Sequence, residues 1–345
     1  MTSESSTLRE RYDSLLLDLD GTLYLGSEAI PGASKAIAGG SQQLIYVTNN
    51  ASRSPTDVAR HLSELGFAAD DEDVVTSSQA AARLLSERLE PGSAVLIVGA
   101  DALADEVARV GLRPVRSEAD DPQAVVQGHS PETAWPILAE ASYAIRAGAL
   151  WVAANTDTTL PTERGLAPGN GAMVAALRAA TGIDPIVAGK PAAPLMEDAL
   201  RRSGSRSALV VGDRLDTDIA GANEVGLDSL AVLTGVSSAD DLLRAVPSMR
   251  PTYLAFTLDA LNDTVESERC GWHAEIDGAD IVLTGEGDAL SALAVTATVA
   301  WENPEFERVV AGSADAERAI EMWSDGTDRT SPRAVSFRAP DTEIG

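Results

Sequence analysis

Short apolar runs alternate with amphipathic segments along most of the chain, a pattern typical of α/β folds. Residues 14–18 and 43–48 are apolar runs without a regular alternation of polar positions. Such runs are expected of parallel strands that are buried on both faces. Between them, residues 33–40 predict a short helix, and Ser54 followed by Pro55 predicts the start of another, with proline at its first position. The N-terminal part of the chain therefore predicts a β-α-β arrangement.

Residues 74–184 have a strand–helix alternation of their own and are long enough to form a domain. The apolar runs predict strands, and the amphipathic segments between them predict helices. The predicted strands are 94–98, 124–127 and 149–154, and the predicted helices are 78–90, 102–110 and 172–181. We therefore expect an inserted α/β domain that separates two parts of a core domain.

The alternation resumes after this insertion and changes character again near residue 266. Strands are predicted at 186–188, 208–212, 229–233 and 253–256, with helices at 192–202 and 218–225. A hairpin at 272–283 and helices at 288–301 and 314–323 follow. The pattern predicts an α/β fold with a parallel-sheet core from residues 1–73 and 185–262. Residues 74–184 form the insertion, and residues 266–345 form a small α+β C-terminal extension of unknown role, in which Trp272 and Trp301 are expected in the core.

The charge of the chain excludes one class of partner. The 345 residues include 53 acidic and 26 basic ones, and the formal net charge is −27. A nucleic-acid-binding surface needs a basic footprint, so no nucleic-acid partner is expected, and an anionic membrane surface is disfavoured as well. A small phosphorylated molecule remains compatible with this charge, because a local site can override the overall field.

Cysteine content and hydropathy suggest where the chain works. The single cysteine, Cys270, excludes an intramolecular disulfide, which fits a reducing compartment. No segment reaches the roughly 18 apolar residues of a membrane span, and residues 1–11 lack the apolar stretch of a signal peptide. We therefore expect a cytoplasmic location and no membrane partner.

Two carboxylates follow the first predicted strand. Asp18 and Asp20 stand two residues apart, and side chains at this spacing point the same way on an extended chain. Gly21 then allows the backbone to turn. Open parallel sheets bind ligands at the carboxyl ends of their strands, which is where this pair is expected. One carboxylate could attack phosphorus while the other transfers a proton. The alternative is a solvated strand end with a turn.

Two further motifs also follow predicted strands. Thr48, Asn49 and Asn50 offer a hydroxyl and backbone N–H groups that could hold phosphate oxygens, although Asn-Asn is also an ordinary turn. Lys190 lies between Gly189 and Pro191 and could place a positive charge against a transferring phosphoryl group. A surface lysine is the alternative, but the chain contains only two lysines, Lys35 and Lys190.

An acidic motif follows the strand predicted at 208–212. Asp213 and, one turn later, Asp218 provide hard oxygen ligands of the kind that Mg²⁺ prefers. The alternative is an acidic loop in which Thr217 or Asp218 caps the next helix. A parallel sheet would bring Asp18, Thr48, Lys190 and Asp213 to one edge, if each follows a strand of the same sheet. We therefore expect these four positions to converge.

These motifs, in this order, resemble those of the haloacid dehalogenase superfamily. The resemblance rests on DLDGT at 18–22, VTNN at 47–50, GKP at 189–191 and GDRLDTD at 212–218. The insertion between the second and third motifs resembles the C2-type cap of the IIA subfamily, and it ends in similar segments at 155–157, 160–165 and 168–171. This resemblance implies a Rossmann-like core with a C2-type cap. The C-terminal extension resembles part of a GNAT acetyltransferase fold, without a complete acyl-CoA site.

The resemblance also implies a mechanism and its residues. Asp18 would be the nucleophile that forms an aspartyl-phosphate, and Asp20 would protonate the leaving alcohol and then activate water. Mg²⁺ would bind Asp18, the backbone carbonyl of Asp20, and Asp213, and Asp218 would support it. Thr48 and Lys190 would hold the phosphoryl oxygens.

The substrate-binding residues are implied by the same resemblance. Asn49 and Asn50 belong to the phosphate loop, and Asn155, Asp157 and Arg164 lie in the part of the cap expected to contact the substrate. The implied activity is a Mg²⁺-dependent phosphatase acting on a small phosphorylated metabolite. Glycerol 3-phosphate is favoured; pyridoxal phosphate, nucleotides and sugar phosphates are alternatives. Relatives often dimerise through the cap, so a homodimer is considered.

Two functions other than catalysis are also compatible with parts of the sequence. A phospho-accepting regulatory module of the receiver type also uses Asp, Thr, Lys and Mg²⁺, but it has no reason to carry Asp20 or a large cap. An interaction scaffold built on an inactive phosphatase body is the other, and the intact set of motifs argues against it.

Overall fold

The computed structural model describes residues 6–162, 164–266, 271–325 and 333–338. Cys270 and Glu163 therefore lie outside the described residues. The strands of the described residues are β1 (Ser14–Leu17), β2 (Tyr24–Leu25), β3 (Glu28–Ala29), β4 (Gln43–Thr48), β5 (Val74–Thr76), β6 (Ala94–Val98), β7 (Arg113–Val115), β8 (Ala124–Gln127), β9 (Leu150–Ala153), β10 (Thr159–Thr162), β11 (Gly165–Pro168), β12 (Ile186–Val187), β13 (Ala208–Gly212), β14 (Asp228–Val232), β15 (Tyr253–Ala255), β16 (Val265–Glu266), β17 (Trp272–Asp277), β18 (Asp280–Gly285), β19 (Arg308–Ala311) and β20 (Ala334–Ser336).

Local sequence signals mark the ends of some of the helices. The α-helices of the same residues are α1 (Ala33–Ile37), α2 (Pro55–Glu64), α3 (Ser77–Ser86), α4 (Asp101–Arg109), α5 (Trp135–Arg146), α6 (Asn170–Thr181), α7 (Ala193–Ser203), α8 (Ala220–Glu224), α9 (Ala239–Leu243), α10 (Ala289–Glu302) and α11 (Ala314–Asp325). Pro55 is the first residue of α2, as predicted, and the Ser54 hydroxyl accepts a hydrogen bond from the Asp57 amide. Gly182, in the left-handed region, ends α6.

The chain forms two compact units. The first unit contains Met1–Leu44 and Ser205–Gly345, and the second contains Ile45–Gly204. The boundaries predicted for the core and the cap, 1–73 with 185–262 and 74–184, stay a prediction.

A largely parallel sheet forms the centre of the first unit. Its strands pair in the order β16-β20-β15-β14-β13-β1, and β1, β13, β14 and β15 are parallel to their neighbours in this series. Strand β20 is antiparallel to β15 and parallel to β16. Strands β1 and β13 are buried throughout, as expected for parallel strands that are covered on both faces.

The C-terminal extension folds as a small mixed sheet with two helices. Strands β17 and β18 form the predicted hairpin, and β19 adds to β18 in parallel. Helices α10 and α11 share one hydrophobic core with residues of β14, α9 and β15. Trp272 is buried in this core, and Trp301 packs against it, as expected. The extension is therefore joined to the parallel sheet of the first unit by a continuous apolar interior.

The second unit contains a separate parallel sheet with strand order β12-β9-β8-β6-β7. Helices α5 and α6 contribute Ala141, Ile145, Val174 and Leu177 to the core on one of its faces. Strands β4 and β5 pair in parallel in the same unit. With the mixed C-terminal sheet, this arrangement confirms the predicted α/β class with a core sheet and an inserted α/β region.

One strand was assigned to the wrong sheet. The run at 186–188 was expected in the same sheet as β1 and β13, but β12 pairs with β9, Ile186 with Val152 and Val187 with Ala153. A two-residue apolar strand carries no information about its partner, so the sequence could not specify this pairing. Residues 159–168, for which no strand was predicted, form the antiparallel hairpin β10–β11.

Among the described residues, no helix combines the length and the apolar character needed to cross a bilayer.

Candidate active site

The turn after β1 places two carboxylates at the end of a buried strand. Asp18 follows β1 directly, and its amide donates a hydrogen bond to the Val211 carbonyl of β13 (2.9 Å). Asp18 is half-buried, whereas Asp20 is exposed. Gly21 has a φ of 92°, and its amide donates to the Tyr24 carbonyl (2.8 Å). The chain can turn back here because glycine adopts this left-handed conformation without strain.

A second pair of carboxylates follows the neighbouring strand β13. Asp213 and Asp218 are both about 1% exposed; Asp213 precedes the short helical turn Leu215–Ile219, and Asp218 lies within it. One carboxylate oxygen from each of Asp18, Asp213 and Asp218 lies within 4.8 Å of the others. The structure thus brings together three of the predicted metal ligands, all within the first unit.

Backbone and hydroxyl donors fix the orientation of Asp213. The Val236 amide donates to its Oδ2 (2.6 Å), and the Thr22 hydroxyl donates to its Oδ1 (3.3 Å) and to Asp18 Oδ2 (3.4 Å). Two glycines leave the room that this carboxylate occupies. A Cβ added at Gly235 would lie 2.5 Å from Asp213 Cγ, and one added at Gly21 would lie 2.6 Å from the same atom.

The three carboxylates fit a divalent cation. Buried like charges at this spacing repel each other strongly unless a cation or a proton compensates them. Carboxylate oxygens are the hard ligands that Mg²⁺ prefers. The glycine cradle keeps Asp213 close to Asp18 without adding a side chain between them. Asp18, Asp213 and Asp218 could therefore hold Mg²⁺ between them.

The remaining charges of the 212–218 motif pair with each other. The guanidinium of Arg214 donates to both carboxylate oxygens of Asp216, at 3.0 and 2.8 Å. Although burial opposes it, this pairing lowers the pKa of Asp216 below its ordinary value. The Arg214 amide also donates to Asp218 Oδ2 (3.1 Å), so this residue helps to orient the third carboxylate through its backbone.

The predicted phosphate loop lies in the second unit, directly after β4. Thr48 is the last residue of β4 and is buried, and its hydroxyl accepts a hydrogen bond from the Asn50 amide (3.1 Å). Asn50 Oδ1 accepts from the amide and the hydroxyl of Ser52, each at 2.8 Å. These bonds define a tight local turn in which Thr48 and Asn50 hold the loop in one conformation.

The Asn49 side chain clamps Lys190 from both sides. Its Oδ1 accepts from the Lys190 amide (2.8 Å), and its Nδ2 donates to the Lys190 carbonyl (3.0 Å). The Lys190 side chain is 2% exposed, and its Nζ donates to the Val47 carbonyl (3.1 Å). The structure therefore brings Lys190 to the end of β4, although these residues are about 140 positions apart.

Two of the three residues predicted in the cap join this network. Asn155 is buried, and its Nδ2 donates to the Asn49 carbonyl (2.6 Å). Asp157 accepts from Asn49 Nδ2 at 3.2 and 3.4 Å. Arg164 lies in the hairpin β10–β11, where its amide donates to the Thr162 hydroxyl (3.3 Å). Asn155 and Asp157 thus support the loop, and Arg164 belongs to an exposed tip.

Several supporting residues were missed in the sequence. Thr22 belongs to the DLDGT motif but was given no role, and Val236 follows strand β14, which was not recognised as part of the site. The segment around Val236 could have been recognised, because it consists of small residues and follows a parallel strand of the same sheet, and such strands end at the edge where ligands bind. Ser77 had no comparable signal, and its hydroxyl donates to the Asn49 carbonyl (2.7 Å). Asn170 lies in the segment 168–171 quoted for the resemblance but was given no role; its Nδ2 donates to the Asn155 carbonyl (2.7 Å).

Sequence profiles of known families match three stretches of the chain. The haloacid dehalogenase-like hydrolase profile matches residues 15–113, and a second HAD-hydrolase-like profile matches residues 187–261. A profile of the GCN5-related N-acetyltransferase-like domain matches residues 269–324, which confirms the likeness predicted for the extension. With the relatives described next, these matches show that the chain belongs to the haloacid dehalogenase-like hydrolases.

Among curated relatives, the D-glycerol 3-phosphate phosphatase of Mycobacterium tuberculosis is 51% identical over 92% of this chain and 96% of its own length. A crystal structure of a glycerol phosphate phosphatase from the same organism, in complex with magnesium, has a TM-score of 0.88 at 53% identity and covers 92% of this chain and 99% of its own. The acid sugar phosphatase of Staphylococcus aureus (strain USA300) is 37% identical over 71% of this chain and 94% of its own length. The chain is therefore a phosphatase of this family.

Proposed function

We propose that the chain is a Mg²⁺-dependent phosphatase that hydrolyses glycerol 3-phosphate. The observation that carries this proposal is the 51% identity to the mycobacterial D-glycerol 3-phosphate phosphatase, which extends over 92% of the chain. That length includes the C-terminal region, whereas the acid sugar phosphatase of Staphylococcus aureus aligns with only 71% of this chain. The cluster of Asp18, Asp213 and Asp218 supports the requirement for a divalent cation.

Asp18 is the proposed nucleophile. Its carboxylate oxygen attacks phosphorus in line with the leaving alcohol, so that the phosphorus–oxygen bond of the ester breaks as the aspartyl-phosphate forms. Asp20 donates its proton to the leaving oxygen and then, as a carboxylate, accepts a proton from the water that hydrolyses the acyl phosphate. The exposed position of Asp20 supports this second role because it is accessible to water.

Mg²⁺, when bound, would offset the negative charge shared by the substrate and the carboxylates. Asp18, Asp213 and the backbone carbonyl of Asp20 are the proposed ligands, and Asp218 supports them. Thr22 and the Val236 amide orient Asp213 for this purpose by the hydrogen bonds described above.

Thr48 and Lys190 are proposed to bind the phosphoryl oxygens. Lys190 supplies a full positive charge, and the Asn49 clamp fixes the backbone from which it extends. Asn50, Asn155, Asp157 and Arg164 stay proposed substrate-binding residues. For Asn155, the buried hydrogen bond to Asn49 supports an indirect contribution, made by holding the loop in place.

The test is phosphate release by the purified chain from a panel of phosphomonoesters. Glycerol 3-phosphate, sugar phosphates, pyridoxal phosphate, mononucleotides and p-nitrophenyl phosphate are compared by kcat/KM, with Mg²⁺ and after chelation. We expect glycerol 3-phosphate to give the highest value and chelation to abolish turnover. A higher kcat/KM for another member of the panel would overturn the substrate assignment.

Two variants test the mechanism and separate it from a phospho-accepting regulatory module. Asp18→Asn should lower kcat by at least about 10³-fold because it removes the attacking charge, whereas Asp13→Asn, an exposed residue just before β1, should leave kcat unchanged. Asp20→Asn should accumulate a phosphoenzyme that intact-mass spectrometry detects, since both proton transfers slow down. A wild-type chain that is phosphorylated stably without turnover would favour the regulatory module.

We also propose that the chain works in the cytoplasm as a homodimer. A lone cysteine suits a reducing compartment. Helix α5 exposes Trp135 (76% exposed) and, two turns later on the same face, Tyr143 (55%), and exposed aromatic residues are frequent at protein interfaces. Light scattering should give twice the mass of the chain, and Trp135→Ser with Tyr143→Ser should give the monomer. A monomeric wild-type chain would refute the dimer.

A further inference from the structure

Four residues after strand β14 hold the metal-site acid Asp213. We call residues 234–237 the site loop. The Val236 amide donates to Asp213 Oδ2 (2.6 Å), and the Ser237 amide donates to the Asp213 carbonyl (3.3 Å). The Thr234 hydroxyl donates to the carbonyl of Gly21 (2.6 Å). The site loop therefore fixes both the side chain and the backbone of Asp213, and it also contacts the turn that follows Asp18.

The site loop leads directly into helix α9. Ser238 caps α9: its hydroxyl accepts from the Asp241 amide (3.2 Å), and Asp241 Oδ2 accepts from the Ser238 amide (2.8 Å). Just before it, the Ser237 hydroxyl accepts from the Leu215 amide (3.0 Å). This reciprocal capping leaves little freedom between loop and helix. A displacement of α9 would therefore be transmitted to the amides that bind Asp213.

The C-terminal extension grips α9 at its far end. The indole Nε1 of Trp301, in helix α10, donates to the Leu242 carbonyl (2.8 Å). The Arg244 guanidinium lies 4.5 Å from the centre of the Phe306 ring and donates to the Glu307 carbonyl (3.1 Å). Leu242 itself is completely buried in the core shared with the extension. We call the contacts of Trp301 and Arg244 the α9 clasp.

The polar groups at the start of helix α10 are satisfied within the extension. Asp288 caps α10 by accepting from the Ser291 amide (2.9 Å), and its carbonyl accepts from Trp272 Nε1 (3.0 Å). A Cβ added at Gly287 would lie 2.7 Å from the same indole nitrogen. The indole of Trp272 therefore fills the space next to the start of α10.

We propose that the C-terminal extension positions the metal site, with Trp301 and Arg244 as positioning residues that act through α9 and the site loop on Asp213. The inference rests on the proposed Mg²⁺-dependent function. A site that is held in its binding geometry binds its ligand more tightly, because less order has to be created on binding. The extension keeps the site loop in the conformation in which its amides reach Asp213.

The test loosens the clasp without removing the extension. In the full-length double variant Trp301→Phe/Arg244→Gln, the indole N–H and the guanidinium are lost but most of the packing volume is kept. We expect the Kd for Mg²⁺, measured by calorimetry without substrate, to rise about tenfold. A change of this size matches the loss of one hydrogen bond and one cation–π contact. At saturating Mg²⁺, kcat should stay within about twofold of wild type, since excess ligand restores the ordered site.

A matched control separates positioning from general stability. Ile281→Val removes one buried methylene from strand β18 of the extension and leaves the indole N–H of Trp301 and the guanidinium of Arg244 in place. It should lower the melting temperature but leave the Kd for Mg²⁺ unchanged. Hydrogen exchange followed by mass spectrometry should be faster at residues 234–243 in the clasp variant alone. An equal rise of the Kd in both variants would mean that the extension acts only through stability.

A double-mutant cycle tests the proposed route. Ser237→Ala removes the acceptor for the Leu215 amide and should also raise the Kd for Mg²⁺. Combined with the clasp variant, it should have less than the summed effect, because both changes release the same loop. Additive effects, or a Kd unchanged by the clasp variant, would overturn the inference. If the wild-type chain binds Mg²⁺ but hydrolyses no phosphomonoester, the proposed function fails while the positioning test still gives its answer.

Discussion

The two units hold their candidate functional residues by different means. In the first unit, Asp213 is oriented by the Val236 amide, a hydroxyl and two glycines that leave space only for the carboxylate. In the second unit, Lys190 is oriented by the Asn49 side chain, which depends in turn on contacts to Asn155 and Ser77. Asp213 is held by backbone groups in a confined space, so it should be displaced when a substitution adds atoms nearby. Lys190 is held by a side chain, so it should be displaced when a substitution removes that side chain.

The largest effect is expected from adding one methyl group to the first unit. In Gly235→Ala, the new Cβ would lie 2.5 Å from Asp213 Cγ and 2.7 Å from the Gly21 Cα, so the acid or the turn must move. We expect kcat to fall by at least about 100-fold and Mg²⁺ binding to weaken, because both depend on the position of Asp213. Steady-state kinetics and calorimetry measure the two changes.

Gly226→Ala is the control for this variant. Gly226 has a positive φ (69°) but no neighbour within 4 Å of an added Cβ. The substitution should cost about 1 kcal/mol of folding free energy through backbone strain and leave kcat unchanged. If Gly235→Ala, like Gly226→Ala, lowers stability but leaves kcat unchanged, the small size of Gly235 is not needed to position Asp213.

The next largest effect on activity is expected from removing the side-chain amide of Asn49 in the second unit. Asn49→Ala removes both hydrogen bonds to Lys190 and should lower kcat/KM by about 30-fold, in line with the loss of two bonds that orient a buried charge. Gln123→Ala removes an exposed amide of the same unit that donates to the Asp121 carbonyl, and it should leave kcat/KM unchanged. Wild-type kinetics in Asn49→Ala would show that Lys190 is held without the clamp.

A smaller effect should follow when the support of the clamp is removed. Asn155→Ala deletes the hydrogen bond to the Asn49 carbonyl, and we expect a decrease in kcat/KM of about fivefold. In the double variant with Asn49→Ala, the two effects should be less than additive, because both act on the position of Lys190. Independent, additive effects would indicate that Asn155 contacts the substrate directly.

The smallest effect concerns stability in the second unit. Burial lowers the pKa of His129, which follows strand β8. The unfolded chain therefore binds the proton more readily, so stability is lost as the pH falls from about 7 through the lowered pKa. His129→Asn should flatten the pH dependence of the unfolding free energy in this window, as measured by urea titration at several pH values. Parallel curves for the two proteins would contradict this sign.

Several strands of the two units could be predicted because burial on both faces leaves a clear signal. Residues 43–48, 94–98, 124–127 and 208–212 were predicted with the bounds that the structure has. The dense motifs at Asp18 and Asp213 were found for a related reason, since polar residues directly after an apolar run stand out. Asp18, Asp213 and Asp218 were predicted to share a metal site, and their carboxylates lie close together in the first unit.

The remaining features depend on partners that no local pattern specifies. Strand β20 lies beside β15 although about 80 residues separate them in sequence, and its three residues give no period that could be recognised. The Val236 amide binds Asp213 through its backbone, so the side chain at that position carries no signal. The substrate-binding role of Asn155 was implied by the resemblance of its segment to the family's cap, and it stays a prediction. Its hydrogen bond to the Asn49 carbonyl joins residues 106 positions apart, so no local pattern could predict it.

The position of β20 also determines when this protein can fold during its synthesis. Strand β20 covers the edge of β15 and pairs in turn with β16, and about 80 residues separate it from β15 in sequence. The ribosome must therefore synthesise the chain through Ser336 before this edge of the sheet is covered, whereas residues 45–204 are available for folding much earlier. Until Ser336 has left the ribosome, the edge of β15 is open to other nascent chains, so translation speed and chaperone supply should affect the yield of this protein.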